Sequence, residues 1–157
     1  MDSIAEDLRR TVDEASRTLL ALDEEQTQRP PQPGKWCPRE VIGHLIDSAS
    51  NNHGRFVRAQ FQDDLVFDGY EQADWVRVQR YRDVSWRELI ELWRGLNLHI
   101  ARVIDCIPAE VRTRPRRRHN LDAIAFKTVD AAQPTTLGYF LQDYVDHLRH
   151  HLASLGS

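Results

Sequence analysis

Apolar residues recur at steps of three and four along four long stretches of the chain, which is the periodicity of amphipathic α-helices. The first two predicted helices are Ser3–Gln28 and Pro38–Gln62. The third is Trp86–Ile107, and the fourth begins after Thr135. No stretch alternates apolar and polar residues in the way that a half-buried strand does. The pattern therefore predicts an all-α protein.

Helix-start residues support these boundaries. Pro38 suits the first position of a helix, where its missing N–H has no intrahelical partner, and this leaves Cys37 as the N-cap. Ser85 and Glu88 fit a capping box at the start of the third helix. Thr135 is the expected N-cap of the fourth helix.

Two connections between the predicted helices are long. Residues 63–84 lie between the second and third helices and include Glu71–Tyr81, a predicted short helix. A connection of this length in a compact domain is usually functional or a crossover. Residues 108–134 are predicted to be irregular and polar, with an arginine cluster at Arg112–Arg118. Together these features predict a four-helix bundle that forms a single domain over residues 1–157.

Length and charge narrow the classes of function. The 157 residues fit one domain, and the net charge of −3 argues against nucleic acid as a partner. No apolar run approaches the ~18–20 residues of a membrane span. Cys37 and Cys106 are too few for a disulfide framework, so the expected location is the cytoplasm. A small-molecule substrate is the expected partner, with no nucleic acid and no membrane.

Three of the seven histidines fall at one level of the predicted bundle. His147 and His151 are four residues apart in the fourth helix, so both rings project from one face. His44 lies about 9 Å from the start of the second helix, whereas His151 and His147 lie about 6 and 12 Å from the end of the fourth. If these two helices are antiparallel, the three rings can converge on one ion.

The chemistry of three converging imidazoles suits a divalent metal such as Zn²⁺ or Ni²⁺. Three protein ligands leave a position open, which is the arrangement of a catalytic metal site. The alternative interpretation is structural, since partly buried histidines are often hydrogen-bonded core residues. The spacing does not fit HExxH or HxxEH, because Leu148 and His150 occupy the positions of the glutamate. Proteolysis is therefore not expected.

Three stretches of the sequence resemble the DinB/YfiT-like superfamily. Residues 34–47, Gly-Lys-Trp-Cys-Pro-Arg-Glu-Val-Ile-Gly-His-Leu-Ile-Asp, are similar to the family's opening motif. Residues 70–75, Tyr-Glu-Gln-Ala-Asp-Trp, resemble its aromatic crossover segment, and residues 134–151 resemble its closing helix. One departure is Cys37, where the family usually has serine.

The resemblance implies a bundle of up-down-down-up topology, in which parallel second and third helices require the long crossover. It also implies a metal ion held by His44, His147 and His151, with zinc or nickel expected first and iron or manganese as further options. Some family members resemble S-transferases or isomerases that use a low-molecular-weight thiol such as bacillithiol or mycothiol, and others are described only as metal-dependent hydrolases. A homodimer is expected on the same basis.

Other polar groups are candidates for supporting roles. Asp47 lies on the same side of its helix as His44 and can orient a ligand ring from outside the coordination sphere, and Asp143 is a similar candidate one turn before His147. An exposed helix-surface carboxylate is the alternative for Asp47. The Arg112–Arg118 cluster is either a site for an anionic substrate or a solvated loop.

Two hypotheses of function follow. In the first, the metal site activates a low-molecular-weight thiol or water, which attacks a small electrophilic substrate in S-transfer or hydrolysis. In the second, the protein is a non-catalytic helical-bundle dimer with a structural or vestigial metal site. An open pocket above the histidines favours the enzyme, whereas a closed site with a fourth protein ligand favours the structural metal.

Overall fold

The computed structural model describes residues 2–155, so residue 1 and residues 156–157 of the predicted domain lie outside it. The bundle consists of four long helices, namely α1 (Ile4–Leu20), α2 (Pro38–Arg58), α4 (Trp86–Asp105) and α7 (Leu137–Leu155). The connections contain three short helices, α3 (Gln72–Gln79), α5 (Ala109–Thr113) and α6 (Leu121–Ile124). Within residues 2–155, β-pairing is limited to two isolated bridges. The predicted all-α four-helix bundle is confirmed.

Contacts across the bundle fix the direction of α1 against α4. Arg9, near the start of α1, pairs with Asp105 at the end of α4 at 2.5 Å. Trp86, at the start of α4, donates from its indole N–H to the carbonyl oxygen of Leu19 near the end of α1 at 2.6 Å. These two helices are therefore antiparallel.

The remaining contacts complete the topology. His53 and His99, each about two thirds of the way along its helix, have ring centroids 5.0 Å apart, so α2 and α4 are parallel. His44 near the start of α2 meets His147 in the second half of α7, so those helices are antiparallel. The order is up-down-down-up, and residues 59–85 form the crossover that the parallel pair requires.

The hydrophobic core includes most of the buried face of α4. The indole of Trp93 is fully buried at the middle of α4, among side chains such as Leu8, Ile42 and Ile100. Burying one such side chain contributes about 1.5–3 kcal/mol. Within residues 2–155, no helix is both long enough and apolar enough to cross a bilayer.

The first predicted helix extends too far. It ends at Leu20 rather than Gln28, and a single 3₁₀ turn follows at Gln26–Gln28. The cause is tertiary: the buried guanidinium of Arg39 donates to the hydroxyl of Thr27 and to the carbonyl of Glu24. These bonds hold the segment in a turn that a continuous helix cannot form.

The second predicted helix also extends too far, since α2 ends at Arg58 rather than at Gln62. Here Arg116 donates to the carbonyl oxygens of Ala59, Gln62 and Asp63 at 3.0–3.3 Å. These bonds satisfy carbonyls beyond the helix end and hold the start of the crossover.

Two smaller predictions at the far end of the chain are wrong. Thr136, not Thr135, caps α7, because its hydroxyl accepts from the backbone N–H of Tyr139 at 3.0 Å. Residues 108–134 are not wholly irregular, since they contain α5 and α6. Each of these helices is at most five residues long, too short for periodicity to predict.

Candidate metal centre

Three histidines meet between the start of α2 and the end of α7, and we call His44, His147 and His151 the histidine cluster. Nε2 of His44 lies 3.4 Å from Nε2 of His147. One nitrogen from each ring lies within 4.8 Å of the other two. Two nitrogens bound to one tetrahedral zinc ion are about 3.3 Å apart. The closest pair therefore already has the separation that a shared ion requires.

His44 is the most buried member of the cluster, with 1% of its surface exposed. The indole of Trp36 covers its ring, with centroids 5.1 Å apart. Its Nδ1 is buried without a hydrogen-bond partner among residues 2–155. A buried polar atom without a partner costs free energy. The Nε2 of the same ring faces Nε2 of His147, so an ion between the two nitrogens can be bound by both. The donor set thus fits a divalent metal.

Burial also sets the charge state of the cluster. Burial, as the larger cause, and the neighbouring imidazoles together lower the pKa of His44 to about 3 and that of His147 to about 4. The pKa of His151 is lowered too, again chiefly by burial. The three rings are consequently neutral near pH 7, which is the form in which histidine binds a metal.

A cleft of about 430 Å³ opens beside the cluster, and His147 and His151 form part of its wall. Its volume lies in the range of small-molecule sites. The crossover contributes Tyr70 to the lining, and the loop before α7 adds Phe126, whose ring lies 5.4 Å from that of His147. The cluster therefore adjoins an open cleft rather than a closed core.

Comparison with known sequences decides the family. A sequence model described as the DinB superfamily matches residues 7–155, which is nearly the whole chain. The chain belongs to the DinB superfamily. The resemblance of the three sequence stretches is thereby confirmed.

Curated relatives of this chain are named as metal-dependent hydrolases. A protein of Bacillus mycoides (strain KBAB4) named "Putative metal-dependent hydrolase" is 29% identical over 65 residues, or 41% of this chain and 38% of that protein. One of Bacillus cereus (strain B4264) with the same description is 24% identical over 78 residues, or 50% of this chain and 45% of that protein. The matched segments thus span less than half the length of these relatives.

A solved structure shares the DinB-like fold. YfiT from Bacillus subtilis, described as "a probable metal-dependent hydrolase with an unusual four-helix bundle topology", superposes with a TM-score of 0.76 at 20% identity. The match covers 96% of this chain and 80% of that one. At this identity the likeness establishes the bundle fold.

In this DinB-superfamily chain, the two carboxylates predicted to support the histidines, Asp47 and Asp143, accept hydrogen bonds from the segments that connect the long helices. Asp47 is buried, and its Oδ1 accepts from the hydroxyl of Tyr81 at 2.6 Å and the amide of Gln79 at 2.8 Å. Asp143 accepts from two backbone N–H groups of the loop that carries Phe126. Asp47 is therefore not an exposed helix-surface carboxylate, and its orienting of a histidine ring stays a prediction.

The Arg112–Arg118 cluster lies apart from the cleft. Arg116 is 2% exposed and holds carbonyl oxygens of the crossover, whereas Arg114 and Arg118 pair with the exposed Asp63 and the half-buried Asp64. None of this cluster belongs to the described cleft lining. Its contacts are those of a structural clamp and a solvated loop.

Sequence reasoning missed several groups that line the cleft. Arg55 and Asn52 lie on α2, and His150 lies on α7 with its ring 5.2 Å from that of His151. His150 is exposed, as its helix position predicts, yet it borders the cleft. These groups can be assigned to a cleft only from the fold of the crossover, which adds Tyr70 to the lining.

Cys37 has the predicted capping position. It is the N-cap of α2, and its backbone N–H donates to Glu40 at 3.1 Å. A helix N-terminus lowers the pKa of a thiol, but burial raises the pKa of Cys37. The buried thiol therefore has no enhanced reactivity.

Proposed function

We propose that this protein is a metal-dependent enzyme in which His44, His147 and His151 hold a divalent ion beside the cleft. Zinc or nickel is the first candidate, with iron or manganese as further options. The enzyme acts on a small electrophilic substrate by S-transfer from a low-molecular-weight thiol or by hydrolysis. The observation that carries the proposal is the convergence of three neutral imidazoles beside an open cleft.

The ion would supply a positive charge that lowers the pKa of a water or thiol held beside it. The protein's own contribution is the three neutral rings, of which His44 is locked by burial under Trp36. Within residues 2–155, the group of candidate ligands consists of the three histidines. This count favours an open coordination position and hence an enzyme over a structural metal.

Thiol transfer is the favoured reaction because the cleft offers no free carboxylate among its described residues. Asp143 is the acidic residue in the lining, and its two oxygens accept backbone N–H bonds from Phe126 and Lys127. Both nucleophiles lose a proton in each turnover, but a thiol beside the ion ionises more readily than water because its pKa is intrinsically much lower, so thiol transfer depends less on a general base.

Hydrolysis is the second candidate, and His150 favours it. This exposed imidazole lines the same cleft and contacts the ring of Phe126, at 5.2 Å between centroids. A histidine in this place can accept a proton through one water molecule. His150→Gln should therefore lower hydrolysis about a hundredfold and leave thiol transfer unchanged.

Metal content tests the proposal directly. Untagged protein, loaded with Zn²⁺ or Ni²⁺ and dialysed, should hold close to one ion per chain by mass spectrometry, and His147→Ala should lose it. His150→Ala is the matched control, since it removes a neighbouring imidazole outside the cluster. Little metal in the parent, or equal loss in both variants, contradicts the site.

The reaction is then assigned with a panel of thiols and electrophiles on the metal-loaded protein. We propose in addition that the protein is a homodimer, as the family resemblance implies. Light scattering during size-exclusion chromatography tests this assembly, and a monomer at all concentrations contradicts it.

A further inference from the structure

Arg55 is a buried cation in the wall of the cleft. It projects from α2 with 5% of its surface exposed, and its guanidinium lies 5.9 Å from the centre of the Tyr70 ring. Its side chain forms part of the cleft lining together with Asn52. A charged side chain is almost never buried unless it is paired.

The described residues give Arg55 no ion pair, since no carboxylate oxygen between residues 2 and 155 lies within 4.0 Å of its guanidinium. Its acceptors are the carbonyl oxygen of Asp68 at 2.7 Å and the Oδ1 of Asn52 at a long 3.4 Å. A guanidinium has five N–H donors, so donors remain available beside the cleft.

Two other buried arginines, Arg39 and Arg116, have more hydrogen-bond acceptors than Arg55 has. Arg39 has acceptors in the hydroxyl of Thr27 and in three backbone carbonyls. Arg116 donates to four backbone carbonyls. Both are structural clamps that lie outside the cleft lining, whereas Arg55 borders the cleft with fewer acceptors.

A buried polar row on α2 connects Arg55 with the histidine cluster. His44, Ser48, Asn52 and Arg55 follow one another at helical spacing and are all buried. Ser48, Asn52 and Arg55 line the cleft. The row extends about 16 Å along the helix axis. Such a row suits an elongated polar molecule rather than a compact apolar one.

We propose that Arg55 binds an anionic group, a carboxylate or phosphate, of an elongated small molecule whose other end reaches the histidine cluster. The inference rests on the proposed function for the role of that second end. The planar guanidinium matches the two oxygens of such a group. On this proposal, the thiol or substrate that occupies the cleft carries a negative charge.

A length series of probes tests the inference. Zinc-loaded protein is titrated by calorimetry with ω-mercaptoalkanoates of increasing chain length and with the corresponding mercaptoalcohols. Within one range of chain lengths, Arg55 should make the acid bind about ten- to a hundredfold more tightly than the alcohol of the same length. Matching mercaptoalkylphosphonates distinguish a phosphate-like from a carboxylate preference.

Variants test whether the tighter binding of the acids depends on Arg55. Arg55→Gln keeps hydrogen-bonding capacity and should abolish the preference for the acid, whereas Arg55→Lys keeps the charge and should retain part of it. Arg58→Gln, which removes an exposed arginine one turn further along α2, should leave the preference unchanged. Melting temperatures and zinc content show that each variant is folded and loaded.

Sulfur-free acids separate this inference from the metal proposal. Octanoate and octanol are titrated by NMR against the same proteins. If thiols fail to bind zinc but octanoate still exceeds octanol only where Arg55 is present, the anion site stands and the metal proposal fails. Equal affinity of acids and alcohols at every length, or an advantage that survives in Arg55→Gln, overturns the anion site.

Discussion

The parallel neighbours α2 and α4 have nearly the same length but bury different chemistry. Of the thirteen buried residues on α2, six are polar or charged, and they include His44, Asp47 and Arg55. Of the eight buried residues on α4, Asn97 alone is polar. Its side-chain oxygen accepts from the hydroxyl of Tyr144 at 2.5 Å. One helix therefore chiefly supplies stability, and the other carries the candidate site.

The difference indicates where stability is reduced in favour of a binding site. A buried polar group costs free energy unless it is paired, and on α2 both Nδ1 of His44 and Oδ2 of Asp47 are buried without a partner among the described residues. On α4 one such atom is present among the described residues, the indole Nε1 of Trp93, whereas the rest of that side chain and Ile100 are apolar and fully buried. Substitutions on α4 should affect folding first, and substitutions on α2 should affect binding first.

The largest effect is expected for Trp93→Ala on α4. The side chain is fully buried, so its truncation should lower the free energy of unfolding by about 3–5 kcal/mol. Urea denaturation of the metal-free protein measures this loss. At low temperature the folded fraction should still bind zinc. A loss below about 1 kcal/mol would show that α4 is not the stabilising helix.

Acidification should destabilise the metal-free protein through α2. The pKa of His44 is about 3 in the folded protein, whereas an unfolded histidine titrates near 6.5. Below pH 6.5 the unfolded chain therefore binds a proton that the folded chain does not, and stability falls as the pH is lowered. From pH 6.5 to 4.5 His44 should account for about 2–3 kcal/mol.

Urea midpoints of the wild type and His44→Gln at both pH values measure that share. Burial raises the pKa of Asp47, which acts in the opposite direction, but Asp47 is present in both proteins. The difference between them isolates His44. Equal losses in the two proteins would mean that His44 titrates normally.

A smaller effect is expected at the contact between α2 and the crossover. A Cβ on Gly43 would lie 2.0 Å from Cδ2 of Tyr81, whose hydroxyl donates to Asp47. Gly43→Ala should therefore displace Tyr81 and lower stability by about 1–3 kcal/mol. Gly95→Ala on α4, where a Cβ meets nothing within 4 Å, is the control and should be neutral or stabilising. The reverse order in thermal denaturation would contradict the packing described.

The smallest effect is expected at the cap of α4. The hydroxyl of Ser85 accepts from the backbone N–H of Glu88 at 3.2 Å. Ser85→Ala should lower stability by about 1 kcal/mol, whereas Ser85→Asp should retain most of the cap. Thermal denaturation of both variants checks the difference, and equal melting temperatures would argue against a role for the side chain.

Periodicity predicted the long helices well because each has a continuous apolar face. It also placed His44, His147 and His151 at one level, since their depth depends only on regular helix rise and an antiparallel pair. The helix ends at Leu20 and Arg58 could not be predicted in the same way. Both depend on guanidinium groups, of Arg39 and Arg116, that arrive from distant parts of the chain.

The position of Arg55 in the cleft also could not be predicted from helix periodicity. In the sequence Arg55 is one of two arginines near the end of the second helix, and no local motif separates it from Arg58. Only the folded crossover, which brings the carbonyl of Asp68 to its guanidinium and the ring of Tyr70 beside it, places Arg55 in a cleft.

The up-down-down-up topology has a consequence for the order of folding events. His147 and His151 are one turn apart and are brought together as soon as α7 is helical, but His44 is 103 positions away from His147. Closing so long a loop is entropically unfavourable, and such long-range contacts slow folding. Completing the cluster therefore requires α7 to dock against α2, which helix formation in α7 alone does not achieve. A spectroscopic metal such as Co²⁺ would report that docking step and not the formation of helices.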